Sequence, residues 1–147
     1  MTNGNDRTND EAIRELLDSW TSALRTKDLA GLMSHYDKDI VSFDLLPPLE
    51  YRGVDEYRKN WEEWFASFAG PIGYEIRGLS ITAGDDVTFS HSFNHITGTR
   101  TNGEQSNAWV RATIGYRKIA DTWMIVHEHF SVPFDMKTLK ASLDLQP

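Results

Sequence analysis

The chain has 147 residues, 39% hydrophobic and 12% aromatic, with five tryptophans, which is enough apolar material for one domain with a real core and excludes a disordered polymer. A formal net charge of −7 argues against nucleic acid and against an anionic membrane surface as partners, because both demand clustered Lys and Arg. The absence of cysteine removes disulfides, thiol chemistry and Cys-based zinc sites. No apolar run reaches membrane-spanning length, and the first residues lack the apolar segment of a signal peptide, so the expected setting is the cytoplasm.

Residues 1–8 are polar and rich in Asn, and read as a frayed tail. Asn9 or Asp10 can cap a helix whose apolar positions Ile13, Leu16, Leu17, Trp20, Ala23 and Leu24 recur at spacings of three and four. A second short helix over Leu29–Tyr36 repeats that spacing with Leu29, Leu32, Met33 and Tyr36, and Asp39–Asp44 reads as a short strand. Pro47-Pro48 excludes regular structure from Leu45–Arg52, leaving a loop beside Asp44. Gly53-Val54-Asp55 opens a third helix with Tyr57, Trp61, Trp64, Phe65 and Phe68 on one side, stopped by Gly70-Pro71.

Beyond that point the period changes to two. Tyr74–Thr82, Val87–Thr99, Gln105–Ile119 and Trp123–Pro133 read as strands, separated by turn signals such as Asn102-Gly103. Met136–Leu145 is a helical turn or a tail. Helices followed by a meander of long strands predict an α+β domain over residues 9–135, with three helices on the concave face of a strongly curved mixed or antiparallel sheet.

The strand alternation poses the functional question. In the last strand, Met124, Val126, Glu128, Phe130 and Val132 share one face, while Ile125, His127, His129 and Ser131 share the other. In the strand before it, Trp109, Arg111 and Thr113 oppose Val110, Ala112 and Ile114. Either the polar faces meet water, or they line a cavity. Val87, Phe89, His91, Phe93 and His95 on one side of their strand mix imidazoles with large apolar groups, as a cavity lining would. The remaining apolar face then needs a cover, and a second copy of the sheet predicts a homodimer.

These stretches resemble the SnoaL-like branch of the nuclear-transport-factor-2-like superfamily, which includes ketosteroid isomerase and scytalone dehydratase. The carriers are the run from Trp20 to Leu32, Gly98-Thr99-Arg100, Trp109–Thr113 and Trp123–Pro133. The resemblance implies a cone-shaped sheet, a pocket between sheet and helices, frequent dimers, and inward-pointing Arg111/Thr113 and His127/His129 faces. It also implies that Asp44 matches the general-base aspartate of the isomerases. Trp20 stands where the family has a hydroxyl-donating tyrosine and Gly115 near its second oxyanion donor, so steroid isomerisation itself is not implied.

Candidate catalytic residues are therefore Asp44 as base, with His129 and Arg111 as polarising groups for a carbonyl compound; each also has a purely structural role open to it. Asp44 can cap the Pro loop, Arg111 can pair with an acid, and the imidazoles can be satisfied internally. Trp20, Trp64, His91, Trp109, Thr113, His127 and Ser131 are the candidate ligand contacts. His91, His127 and His129 at these spacings are not a usual metal signature, and neither metal nor cofactor is expected. Two function classes follow: a cofactor-independent isomerase, dehydratase or cyclase acting on a small apolar carbonyl compound, or a non-catalytic ligand-binding or dimerisation module with the same pocket.

Overall fold

The computed structural model describes residues 7–147, so most of the expected N-terminal tail lies outside the described residues. Helix α1 (Asn9–Arg25) begins one residue earlier than its expected caps. Thr8 is the N-cap: its hydroxyl accepts from Glu11 N at 3.1 Å, while Thr8 N donates to the Glu11 carboxylate at 3.3 Å, a reciprocal capping box. The predicted apolar stripe from Ile13 to Leu24 is buried.

Helix α2 (Leu29–Met33) stops short of Tyr36, which instead opens strand β1 (Tyr36–Phe43). Ile125 N donates to His35 O at 2.8 Å there, and the Tyr36 hydroxyl finds a buried partner across the core. Long-range bonding overrides the helical spacing at this point. The loop after Asp44 contains a cis Pro47–Pro48 bond and then a short strand, β2 (Tyr51–Arg52), where the sequence promised no regular structure. Helix α3 (Val54–Ala66) follows, then β3 (Gly73–Thr82), β4 (Val87–Thr99), β5 (Gln105–Ile119) and β6 (Thr122–Ser131).

The result is an α+β domain: one curled, unclosed six-stranded sheet of order β2-β1-β6-β5-β4-β3, with three helices. Neighbours are antiparallel except β1 and β6, which run parallel. Register shifts in β1, in β3 around Gly78 (φ 66°) and between β5 and β6 bend the strands toward the helices. Beyond β6 the chain turns back through a Phe134–Ala141 bridge, and Trp109 N donates to Leu143 O at 2.9 Å, so the C-terminal segment lies beside β5 as an irregular strap.

The shift between β5 and β6 decides which side chains enter the core. Gly115 pairs with His127 and Tyr116 with Ile125, so Val126 is an extra residue and the alternation changes phase across it. Trp123 and Ile125 are buried before the shift, and Glu128 and Phe130 after it. His127 and His129 are thereby turned to the convex face. The inward orientation expected for the two histidines does not hold.

On β5 it is Val110, Ala112, Ile114 and Tyr116 that are buried toward the helices, while Arg111 and Thr113 are exposed on the other side. The same correction applies to β4. Its concave side carries buried Thr88, Ser90, Ser92 and Asn94, whereas Phe89 is 49% and Phe93 42% exposed on the convex side together with His91. Polar groups can line this core because tyrosines satisfy them. The hydroxyls of Ser90 and Tyr116 lie 2.8 Å apart, and Asn94 Nδ2 donates to Tyr74 Oη at 2.7 Å while accepting from Ser92 Oγ.

Candidate functional site

Between the concave face and the helices lies a cavity of about 100 Å³. Its wall is aromatic and aliphatic: Trp61 and Trp64 from α3, Tyr74 from β3, Ile96 from β4, Val110 from β5 and Phe130 from β6. The polar exceptions are Asp44, at the end of β1, and Asn60 of α3. The cavity shares Leu45, Leu46, Asn60, Trp64, Ile96 and Val110 with an open groove of about 670 Å³, whose far side is formed by Val132, Ala141 and Leu143. The groove is the mouth of the cavity, and its size is that of a small-molecule site.

Asp44 is half-buried and firmly held. Leu45 N donates to Oδ1 at 2.7 Å, Asn60 Nδ2 donates to Oδ2 at 3.1 Å, and the Tyr57 hydroxyl lies 3.1 Å from Oδ2. Asn60 is itself oriented by Tyr51, whose hydroxyl donates to Oδ1 at 3.1 Å. Helical spacing brings Tyr57, Asn60, Trp61 and Trp64 to one side of α3, so a single rigid element carries the hydrogen-bonding groups and the aromatic wall.

Behind Asp44, with 0% exposure, sits Glu128. Tyr57 Oη is 2.7 Å from Glu128 Oε2 and Tyr36 Oη is 3.0 and 2.9 Å from its two oxygens. Trp20 Nε1 donates to Tyr36 Oη at 2.9 Å. Among the described residues no ion pair reaches Glu128. Burial pushes its carboxyl up from the ordinary 4.5 to about 8; the Tyr57 and Tyr36 bonds pull the other way and the nearby Asp44 charge adds to the rise. Burial and the Glu128 charge hold the Tyr36 and Tyr57 phenols well above their ordinary range, so both remain hydrogen donors at any ordinary pH.

Of the residues singled out in the sequence, Asp44 and Trp64 line the cavity. Trp20 is fully buried one step behind it, bonded to Tyr36 and edge-on to Trp61 and Tyr74. The others lie together on the convex face. His129 and His127 pack edge-on against Phe43, and His127 Nδ1 is 2.7 Å from Val41 O. Arg111 is exposed and donates to Ser131 Oγ at 3.0 Å; His91 and Thr113 are paired neighbours in the exposed rows. Trp109 is covered by the stacked His95 ring and the Arg77 guanidinium. None of these seven residues reaches the cavity wall.

The residues the sequence reading missed are Glu128, Tyr57, Tyr36 and Asn60. Glu128 did leave a signal, as the lone acid on the otherwise apolar face of its strand. Tyr36 and Tyr57 were hidden because a tyrosine in an apolar stripe looks like any other core aromatic.

A family model described as a SnoaL-like domain matches residues 13–135. An NTF2-like protein of unknown function from Pseudomonas putida is similar at 36% identity and TM-score 0.86, with 95% of this chain and 96% of that one covered. A ketosteroid isomerase-like protein from Erwinia carotovora atroseptica shares the fold at 21% identity and TM-score 0.71, over 82% and 93% of the two chains. A provisionally assigned scytalone dehydratase from Novosphingobium aromaticivorans does so at 13% identity and TM-score 0.76, over 85% and 84%. No curated protein matches the chain. With the match covering most of its length and the curled sheet of these relatives reproduced, the chain belongs to the SnoaL-like domain family within the NTF2-like superfamily.

Proposed function

We propose that this protein is a cofactor-independent enzyme that performs acid/base chemistry on a small, mainly apolar carbonyl compound, as an isomerase, dehydratase or cyclase does. The observation that carries the reading is Asp44: a carboxylate at the inner end of a mouth, on the wall of a mainly aromatic and aliphatic cavity. A hydrogen next to a carbonyl is acidic enough for a carboxylate in a water-poor site to remove, provided the geometry is fixed in advance. Three hydrogen-bonded neighbours fix Asp44 here. The names of the isomerase-like and dehydratase relatives support the same class of chemistry, in which a proton leaves one atom and another is returned elsewhere.

Volume sets the mode of binding. A cavity near 150 Å³ holds benzene, so about 100 Å³ takes only the reacting end of a ligand, and the body rests in the mouth against Leu45, Trp64 and Val132. His129 and Arg111, on the far side of the sheet, have no part in this chemistry. The convex face, with Phe43, Phe89 and Phe93 exposed among His91, Arg111 and His129, is proposed as the surface on which a second copy packs. Sedimentation should then show a dimer, and a monomer at all concentrations would exclude it.

The small inner volume favours a second reading, a non-catalytic binding module. A thermal-shift screen of cyclic and aromatic carbonyl compounds separates the two, since a ligand of the native state raises Tm. The enzyme reading expects hits that are converted by the protein, with conversion lost and binding kept in Asp44→Asn. Hits that bind unchanged support the module; a screen without stabilising compounds overturns both.

A further inference from the structure

Glu128 is deeper than any ligand in the mouth reaches, yet it is joined to the cavity's carboxylate through one hydroxyl. Counting hydrogens along this chain is informative. If both carboxylates are ionised, the Tyr57 hydroxyl must serve Glu128 at 2.7 Å and Asp44 at 3.1 Å with a single hydrogen, leaving one close oxygen–oxygen contact with none. Adding one proton to the pair gives each of the two contacts at Tyr57 its own hydrogen. With that proton on Glu128, the carboxyl donates to Tyr57 Oη, Tyr57 donates to Asp44 Oδ2, Tyr36 donates to the Glu128 carboxyl with one hydrogen shared between its two oxygens, and Trp20 donates to Tyr36. With the proton on Asp44, the two bonds at Tyr57 simply reverse, and each again holds one hydrogen.

We propose that Asp44, Tyr57 and Glu128 form a proton relay, in which one proton rests on Glu128 and crosses the Tyr57 hydroxyl to Asp44, turning the cavity's base into an acid. The step balances: the Glu128 O–H bond breaks as a Tyr57 O–H forms, the original Tyr57 O–H breaks as an Asp44 O–H forms, and the net charge of the trio is unchanged. Glu128 is the resting place because Asp44 is half-buried and keeps two further donors, Leu45 N and Asn60 Nδ2, for its charge. The other titratable groups that face Glu128 are the neutral phenols of Tyr36 on β1, Tyr74 on β3 and Tyr116 on β5, none of which competes for the proton. The catalytic consequence, a carboxylate able to take a proton and then give one without solvent, rests on the reading of Asp44 as the base. The relay itself does not, and its test needs no ligand.

The full chain carrying ¹³C-labelled Asp and Glu carboxyls is titrated by NMR. Glu128 should be protonated at neutral pH, and the Asp44 signal should move at the Glu128 midpoint as Tyr57 turns away from it. In Tyr57→Phe, Glu128 should still titrate and this Asp44 movement should vanish; in Glu128→Gln, whose amide donates to Tyr57 as the acid does, the Asp44 signal should show no movement in that range. Should Tyr57→Phe not fold, Glu128→Gln decides alone. An ionised Glu128 at neutral pH, or an Asp44 movement in that range that survives in either variant, overturns the relay. A failed ligand screen with the coupled titration intact would overturn the proposed enzyme and leave the relay standing.

Discussion

The two faces of the sheet use their polar groups to opposite ends. On the convex face, the imidazoles of His91, His127 and His129 and the Arg111 guanidinium stand among exposed phenylalanines, each within reach of water. On the concave face, Glu128 has 0% exposure and is held by two tyrosines, one of which bridges to Asp44. Burial raises the Glu128 carboxyl to about 8, whereas the histidines of the other face lie outside the wall of the cavity. Chemical richness along a strand is therefore a poor guide to a site. What matters is whether a polar group is removed from water and then paired, because removal is what makes its protonation state adjustable.

The comparison predicts a large asymmetry in stability. Glu128→Ala removes the acceptor of the Tyr36 hydroxyl, deprives Tyr57 of its closer partner and leaves a void in the core. Urea unfolding should show a loss of about 4 kcal/mol. A loss under about 1 kcal/mol would mean that water fills the gap and that this network is not the rigid element it looks to be.

The next largest effect is in pH dependence. Glu128 has a folded-state value of about 8 against an ordinary 4.5, so between those values the folded chain holds a proton that the unfolded chain has released. The stabilisation is fully present below about pH 4.5 and lost as pH rises toward 8, with a loss on the order of 3 kcal/mol by pH 7. His35, lowered by burial, acts in the opposite sense as pH falls below its ordinary 6.5. The difference between wild type and Glu128→Gln isolates the first contribution: the variant should lose the decline, and parallel pH–stability curves would refute the assignment.

Much of this could be read from the sequence, and the point where reading stopped is specific. Helical spacing placed Trp20, Tyr57, Trp61 and Trp64, and the strand spans of β4 and β5 followed from period-two patterning and the Asn102-Gly103 turn. Asp44 was legible because a strand end beside a Pro-Pro loop is a fixed position. The inward face of β6 was not. One extra residue at Val126 exchanges the faces, and a sequence does not announce a bulge whose cause is sheet curvature. Ile125 and Trp123 do point inward, so reading the first half of the strand correctly sent His127 and His129 to the wrong side. On β4 the fault lay in the assumption that apolar means inside: Ser90, Ser92 and Asn94 are buried because Tyr74 and Tyr116 supply partners from distant strands.

Tyr57→Phe sharpens the comparison at lower cost. It removes one hydroxyl from a network in which Glu128 keeps Tyr36 and Asp44 keeps Asn60 and Leu45 N. A loss of about 1.5 kcal/mol is expected in the same unfolding measurement.

The smallest effect belongs to the convex face, and it is the sharpest contrast. His129 is exposed and touches Phe43 edge-on, and its replacement leaves no buried donor or acceptor unpaired. His129→Ala should change monomer stability by less than about 0.5 kcal/mol and leave turnover of any ligand found for the cavity unaltered. Because Phe43, Phe89 and Phe93 share this face, the same variant is expected to act, if anywhere, on self-association, read by sedimentation across a concentration series. If His129→Ala instead abolished turnover while leaving the protein folded, a group on the far side of the sheet would be governing the chemistry. The division of labour between the faces would then have to be redrawn, with the second copy bringing its convex residues to the reaction.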